Sequence, residues 1–213
     1  MKKKLFDGAR ALGIDLSEQG AEKLLFYLDE LLKWNQQINL TSISDREQAV
    51  EKHLLDSLAL IKVTKGEEKI LDIGSGAGLP GIILALTRPE LTVFSVESIG
   101  KKYNFQKNIK RKLKIDNLIV YRSRIENLEL LGVPYSSFDL VTARAFASLD
   151  LLLGVAEPWL KENGVLVAMK GPEGQEELQK IAEVLKNKQI ESKSFAYRLP
   201  YSGAERLLIS LKK

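Results

Sequence analysis

An α/β fold is predicted for this chain: a mostly parallel sheet that closes with an antiparallel pair, preceded by a helical extension. Three observations predict it. From Lys69 onward, short apolar runs alternate with stretches of helical period, the pattern of a parallel sheet covered on both faces. The last two runs, 192–197 and 206–211, are joined through Leu199-Pro200-Tyr201-Ser202-Gly203, too short for a crossover helix and suited to a hairpin. Before Gly66 the apolar residues recur every three or four positions instead of alternating, which is a helical signature.

Taken in order, Ser17 is an N-cap type, and behind it Leu24, Tyr27, Leu28, Leu31 and Leu32 form one apolar stripe. Val50, Leu54, Leu58 and Ile61 form a second, and Gly66 ends the helical rhythm. The expected division is a helical extension over 1–66 and a sheet core over 67–213, packed as one domain, which is what 213 residues can support. Strands are expected at 70–73, 91–96, 118–121, 138–141 and 165–169. Between the second and third, Phe105, Ile109 and Leu113 give a helix from Lys101 to Lys114 one buried stripe.

The apolar share of 45% and charged share of 28% are those of an ordinary globular protein. No run approaches the roughly eighteen apolar residues of a membrane span, and Met1 to Lys4 leads into an amphipathic segment, so a cytoplasmic protein without membrane contact is expected. There is no cysteine and one histidine, which leaves no disulfide, no thiolate nucleophile and no expected metal site. The net charge is only +4, but Lys101, Lys102, Lys107, Lys110, Arg111, Lys112, Lys114, Arg122 and Arg124 are opposed in their segment by Asp116 alone. Such a stretch suits an anionic partner, and Lys101, Lys107, Lys110 and Lys114 are its candidate RNA contacts.

Chemistry concentrates in Leu71-Asp72-Ile73-Gly74-Ser75-Gly76-Ala77-Gly78-Leu79-Pro80-Gly81. A strand runs into glycines that let the backbone turn sharply and a ligand approach closely, and Pro80 stands where a helix tolerates it. Gly76-x-Gly78-x-x-Gly81 also matches the dinucleotide fingerprint, with Glu97 about where a ribose-binding acid stands, so an NAD-dependent oxidoreductase is one reading. Asp72 ahead of Gly74 favours another: a carboxylate at the strand end suits a ligand with an ammonium and a sulfonium. Glu97 could then accept the ribose hydroxyls, Ile125 pack on adenine, and the backbone near Glu126 read its edge. After the fourth strand, Thr142-Ala143-Arg144-Ala145-Phe146 lacks the Asn/Asp-Pro-Pro-aromatic motif of exocyclic amine methylation, and carbon-5 methylation needs the missing cysteine. A purine ring nitrogen remains, and it needs no general base. His53, three residues before Asp56, suits a structural or substrate-contact role, and Trp34 either packs or stacks on a base.

The acid followed by Gly-x-Gly-x-Gly and the reversed final strand resemble class I S-adenosylmethionine-dependent methyltransferases, which have a Rossmann-like sheet. With Trp34-Asn35, Asn39-Leu40-Thr41, His53-Leu54-Leu55-Asp56-Ser57, Glu97-Ser98 and Arg144-Ala145-Phe146-Ala147, the chain resembles the RsmG (GidB) family of bacterial methyltransferases over nearly its whole length. That resemblance implies S-adenosylmethionine as cofactor and guanine N7 in 16S ribosomal RNA or the small subunit as target; a monomer is expected. It also implies cofactor contacts at Gly74, Leu79, Ile125, Glu126 and Arg144, with Arg144 near the reaction centre. Ala77 and Glu97 stand where relatives commonly have glycine and aspartate. A non-catalytic RNA-binding module on the same fold is the remaining reading.

Overall fold

The computed structural model describes residues 1–212. Each expected strand forms, with shifted ends: β1 (Lys69–Ile73), β2 (Thr92–Val96), β3 (Leu118–Tyr121), β4 (Phe138–Arg144), β5 (Leu160–Lys170), β6 (Glu191–Arg198) and β7 (Glu205–Lys212). They make one sheet in the order β3-β2-β1-β4-β5-β7-β6. The first five are mutually parallel, and β7 runs antiparallel to both β5 and β6. Strand order reverses between β1 and β4, and the crevice beyond their carboxyl ends is where such sheets bind ligands.

The helices are α1 (Lys2–Ala11), α2 (Glu18–Ile38), α3 (Arg46–Ala49), α4 (Asp56–Leu58), α5 (Gly81–Thr87), α6 (Gly100–Leu113), α7 (Leu149–Ala156), α8 (Gly174–Lys180) and α9 (Ala182–Asn187). Ser17 caps α2 as expected, accepting the Gly20 N–H at 3.0 Å. On α6, Phe105 and Ile109 are buried and Leu113 packs half buried against the same core. No helix among the described residues is long and apolar enough to cross a membrane.

The second apolar stripe falls on a helical rod, though not on a regular α-helix. Residues 46–63 are not one regular helix: α3 passes into a π-helical stretch, Val50–Leu55, then α4, then a 3₁₀ stretch, Ala59–Val63. Val50, Leu54 and Leu58 are buried as their spacing implies, but so are Glu51, His53, Asp56 and Ser57. An apolar stripe marks one buried face, whereas this rod is enclosed on its polar side as well. There the C-terminal hairpin and β4 supply hydrogen-bond partners, for example the Tyr201 and Ser202 N–H groups donating to Glu51 Oε1 at 2.6 and 2.8 Å.

The sheet divides two apolar clusters, and the strand pleat assigns alternate residues to them. Ile70, Val93, Leu140 and Val167 face the side covered by α1, α2, α5 and α6. Leu71, Val141, Leu166 and Ala168 face α7 and α9. The first cluster is continuous from Leu5, Leu24 and Leu28 to Ile82 and Phe105, so the change of rhythm at Gly66 falls within one core.

Candidate active site

The β1–α5 loop is shaped by backbone that only glycine adopts without strain. Gly74, Gly76 and Gly78 have φ of +65°, +60° and +94°. A Cβ on Gly78 would stand 2.3 Å from Ile82 Cδ1, whereas one on Gly76 would meet nothing within 4 Å. Gly78 therefore permits packing within the loop, and Gly76 turns its bare face to open space.

Four elements hold that loop. The Tyr27 hydroxyl of α2 donates to Ala77 O at 3.0 Å. Gln106 of α6 donates through Nε2 to Gly76 O and Ser75 Oγ, both at 2.8 Å, and Ser95 of β2 closes the buried network by donating to Gln106 Oε1 at 2.6 Å. Glu97, at the end of β2, accepts the Gly76 N–H at 2.8 Å on Oε2 and the Ile99 N–H at 2.7 Å on Oε1. Asp72 on β1 accepts the Gly81 N–H at 2.8 Å through Oδ2. Its other oxygen, Oδ1, is buried with no hydrogen-bond partner. Loss of water raises the Asp72 carboxyl to a pKa of about 7, against the opposing pull of the Gly81 hydrogen bond and the Arg144 charge.

The remaining predicted cofactor contacts border the same crevice. Leu79 is nearly buried in the loop. Beyond β3, the Ser123 N–H donates to Glu97 O at 3.2 Å. A 3₁₀ turn, Ile125–Asn127, follows, with Ile125 buried in the second core and Glu126 exposed. Arg144 ends β4. Its guanidinium lies 3.6 Å from Asp56 Oδ2 and donates to Ser57 Oγ at 3.4 Å and His53 Nδ1 at 3.2 Å. A guanidinium only donates, so His53 is the neutral tautomer with its proton on Nε2, directed at Thr41 Oγ1 2.9 Å away. Burial first, then Arg144, lowers the His53 pKa to about 4. Thr41 is itself presented by a turn in which Asn35 Oδ1 accepts the Leu40 and Thr41 N–H groups at 2.7 and 2.8 Å.

The candidate RNA contacts separate. Lys101, Lys107 and Lys114 are exposed along α6. Lys110 is half buried, with its ammonium bonded to Leu118 O. His53 is 3% exposed within the π-helical segment, the structural alternative of its two readings. Trp34 packs edge-on to Phe105 with ring centroids 5.6 Å apart, the packing alternative of its two readings. Sequence reasoning missed Lys52, Ser57, Gln106, Tyr197 and Arg206 as members of the site. Gln106 had a local signal, since it falls three residues before Ile109 on the buried side of α6; Ser57 stood in the His53–Ser57 motif without a role of its own, and Lys52, Tyr197 and Arg206 had no signal, because the elements that bring them together lie far apart in the chain.

With the geometry in place, comparison with known proteins assigns the family. Residues 20–200 match the family described as rRNA small subunit methyltransferase G. The chain belongs to the rRNA small subunit methyltransferase G family. A relative in Syntrophotalea carbinolica, named ribosomal RNA small subunit methyltransferase G, is 43% identical and aligns over 100% of this chain and 98% of its own length. Among solved structures, an S-adenosylmethionine-dependent methyltransferase from Aquifex aeolicus superposes with a TM-score of 0.57 at 17% identity, over 77% of this chain and 92% of its own. M. jannaschii TYW2 in complex with AdoMet gives 0.57 at 13%, over 74% and 73%. These two likenesses show that this member of the rRNA small subunit methyltransferase G family has the class I fold.

Proposed function

We propose that this chain transfers the methyl group of S-adenosylmethionine to N7 of a guanine in small-subunit (16S) ribosomal RNA. Family membership sets the reaction class, and the observation that carries the cofactor assignment is the Asp72 carboxylate behind a loop of three left-handed glycines. The residues fit that cofactor. Gly76 opens onto unfilled space, Glu97 keeps lone pairs beside it, and Asp72 Oδ1 is a buried acceptor without a partner. Membership of a methyltransferase family is what disfavours the oxidoreductase reading.

When bound, S-adenosylmethionine supplies an electrophilic methyl on a sulfonium. The 74–81 backbone and Glu97 would hold its amino-acid and ribose portions, Leu79, Ile125 and the Glu126 backbone would pack on the adenine, and Arg144 would border the methyl end. No side chain has to remove a proton, because guanine N7 offers a lone pair. The chain's contribution is therefore alignment and exclusion of water. Lys101, Lys107 and Lys114 attract the RNA backbone along α6, which begins at the cofactor end of the sheet and runs away from it. In this reading the enzyme works as a monomer in the cytoplasm.

The test is labelled S-adenosylmethionine incubated with small subunits or stripped 16S RNA, followed by mapping of the modified base. Label at N7 of one guanine is expected. Label on another atom corrects the target, and RNA binding without transfer would mean a non-catalytic module.

A further inference from the structure

Beyond the carboxyl ends of β4 and β5 lies a cleft of about 450 Å³ whose lining includes Lys52, Arg144, Phe146, Lys170, Glu173 and Arg206, a volume typical of small-ligand sites. Phe146 joins it to the cofactor loop: its Cδ2 stands 3.9 Å from the position of a Cβ on Gly74. The turn presenting Phe146 passes through Ala145 at φ +53°, a conformation alanine seldom adopts and one imposed here by the surroundings.

Charges in the cleft do not balance. Lys170 is matched by Glu177 at 2.9 Å and also donates to Ala147 O at 2.7 Å. Glu173 is turned to the Gly171 N–H at 3.1 Å. Among the described residues Asp56 is the one carboxylate within ion-pair range of both guanidiniums, 3.6 Å from Arg144 and 3.5 Å from Arg206, and it also accepts the Tyr197 hydroxyl at 2.8 Å. The second terminal nitrogen of Arg206 has no hydrogen-bond partner among the described residues, and Lys52 reaches only the neutral Gln48, at 3.3 Å. The lining thus sets four cations, Lys52, Arg144, Lys170 and Arg206, against three carboxylates, Asp56, Glu173 and Glu177, a surplus of one positive charge, and its least engaged cations, Lys52 and Arg206, stand one aromatic ring away from the cofactor loop.

We propose that this cleft is the subsite for the target nucleotide, with Phe146 against the base and Lys52 and Arg206 on its phosphate. The proposal rests on the reading of the chain as an RNA methyltransferase. Enzymes that modify a base withdraw it from its stack, and the withdrawn nucleotide then needs a ring to lie on and cations for its phosphate. Lys52 comes from the helical extension and Arg206 from the terminal hairpin, which gives both additions to the sheet a share in substrate binding.

Methyl transfer to 16S RNA is measured for the wild type, Lys52→Gln, Arg206→Gln and Arg206→Lys, with S-adenosylhomocysteine affinity measured in parallel. Each glutamine variant is expected to raise KM for RNA about tenfold, the size of one charge-assisted contact. It should also lower the salt slope by about one while cofactor affinity holds; Arg206→Lys should recover most of the KM. Should Arg206→Gln fail to fold, Lys52→Gln, which breaks no ion pair, decides the matter. Unchanged KM and salt slope in a folded variant overturn the subsite while leaving the enzyme assignment intact. No transfer by the wild type overturns the functional reading, and the subsite with it.

Discussion

Replacing Asp72 by asparagine tests the electrostatics of the cofactor loop. The side chain keeps its size, and the amide oxygen can still accept the Gly81 N–H that Oδ2 accepts now at 2.8 Å. In the folded protein the carboxyl is raised from 3.8 to about 7 by burial. Folded Asp72 therefore holds a proton that the unfolded chain has released, so its contribution to stability is complete below about pH 4 and is lost as pH rises to about 7. At 1.36 kcal/mol per unit the loss is at most roughly 4 kcal/mol. His53 acts in the opposite sense: its lowered pKa contributes stability that is present above about pH 6.5 and lost as pH falls through about 4. The difference between wild type and variant removes that background. Denaturant titrations from about pH 3.5 to 8 should show Asp72→Asn close to the wild type at the acid end and more stable by up to roughly 4 kcal/mol at the alkaline end. The variant should also lose more affinity for cationic S-adenosylmethionine than for neutral S-adenosylhomocysteine. A difference flat within about 0.5 kcal/mol across that range would show that the carboxylate ionises freely, and the reasoning would fail.

Gly76→Val forces a branched residue into φ +60° and fills the open face of the loop. It should cost about 1–3 kcal/mol in stability and abolish S-adenosylhomocysteine binding, and undiminished calorimetric binding by folded mutant would place the cofactor elsewhere. Glu97→Gln replaces one of two acceptors for the Gly76 and Ile99 N–H groups and should weaken cofactor binding by about 1.5–3 kcal/mol with RNA affinity retained; the reverse outcome would misplace the ribose. Reversing Lys101, Lys107 and Lys114 to Glu should lower RNA affinity and flatten its salt dependence, leaving the cofactor untouched, and an unaltered slope would move the RNA surface off α6. Lys110 is omitted because its ammonium is already bonded within the protein.

The sequence by itself determined the order and type of the elements. Periods of two and of three to four mark a strand or a helix wherever one face is buried, so β1 to β7 and the stripes of α2 and α6 were legible. The glycine loop was legible too, because left-handed backbone leaves a local trace in residue type, and Asp72 and Glu97 were found by their positions at the ends of strands. Only the tertiary structure decided what surrounds Arg144. His53 and Asp56 lie about ninety positions upstream of it, and Tyr197 and Arg206 more than fifty downstream. Nothing in a local window relates them. Trp34 likewise had two readings, and Lys110 read as an RNA contact, until Phe105 and the Leu118 carbonyl were seen beside them. Local periodicity records which face of an element is buried; which polar groups that burial brings together depends on sheet order and chain crossings, and these set the pKa of Asp72 and His53 and the charge left over in the cleft.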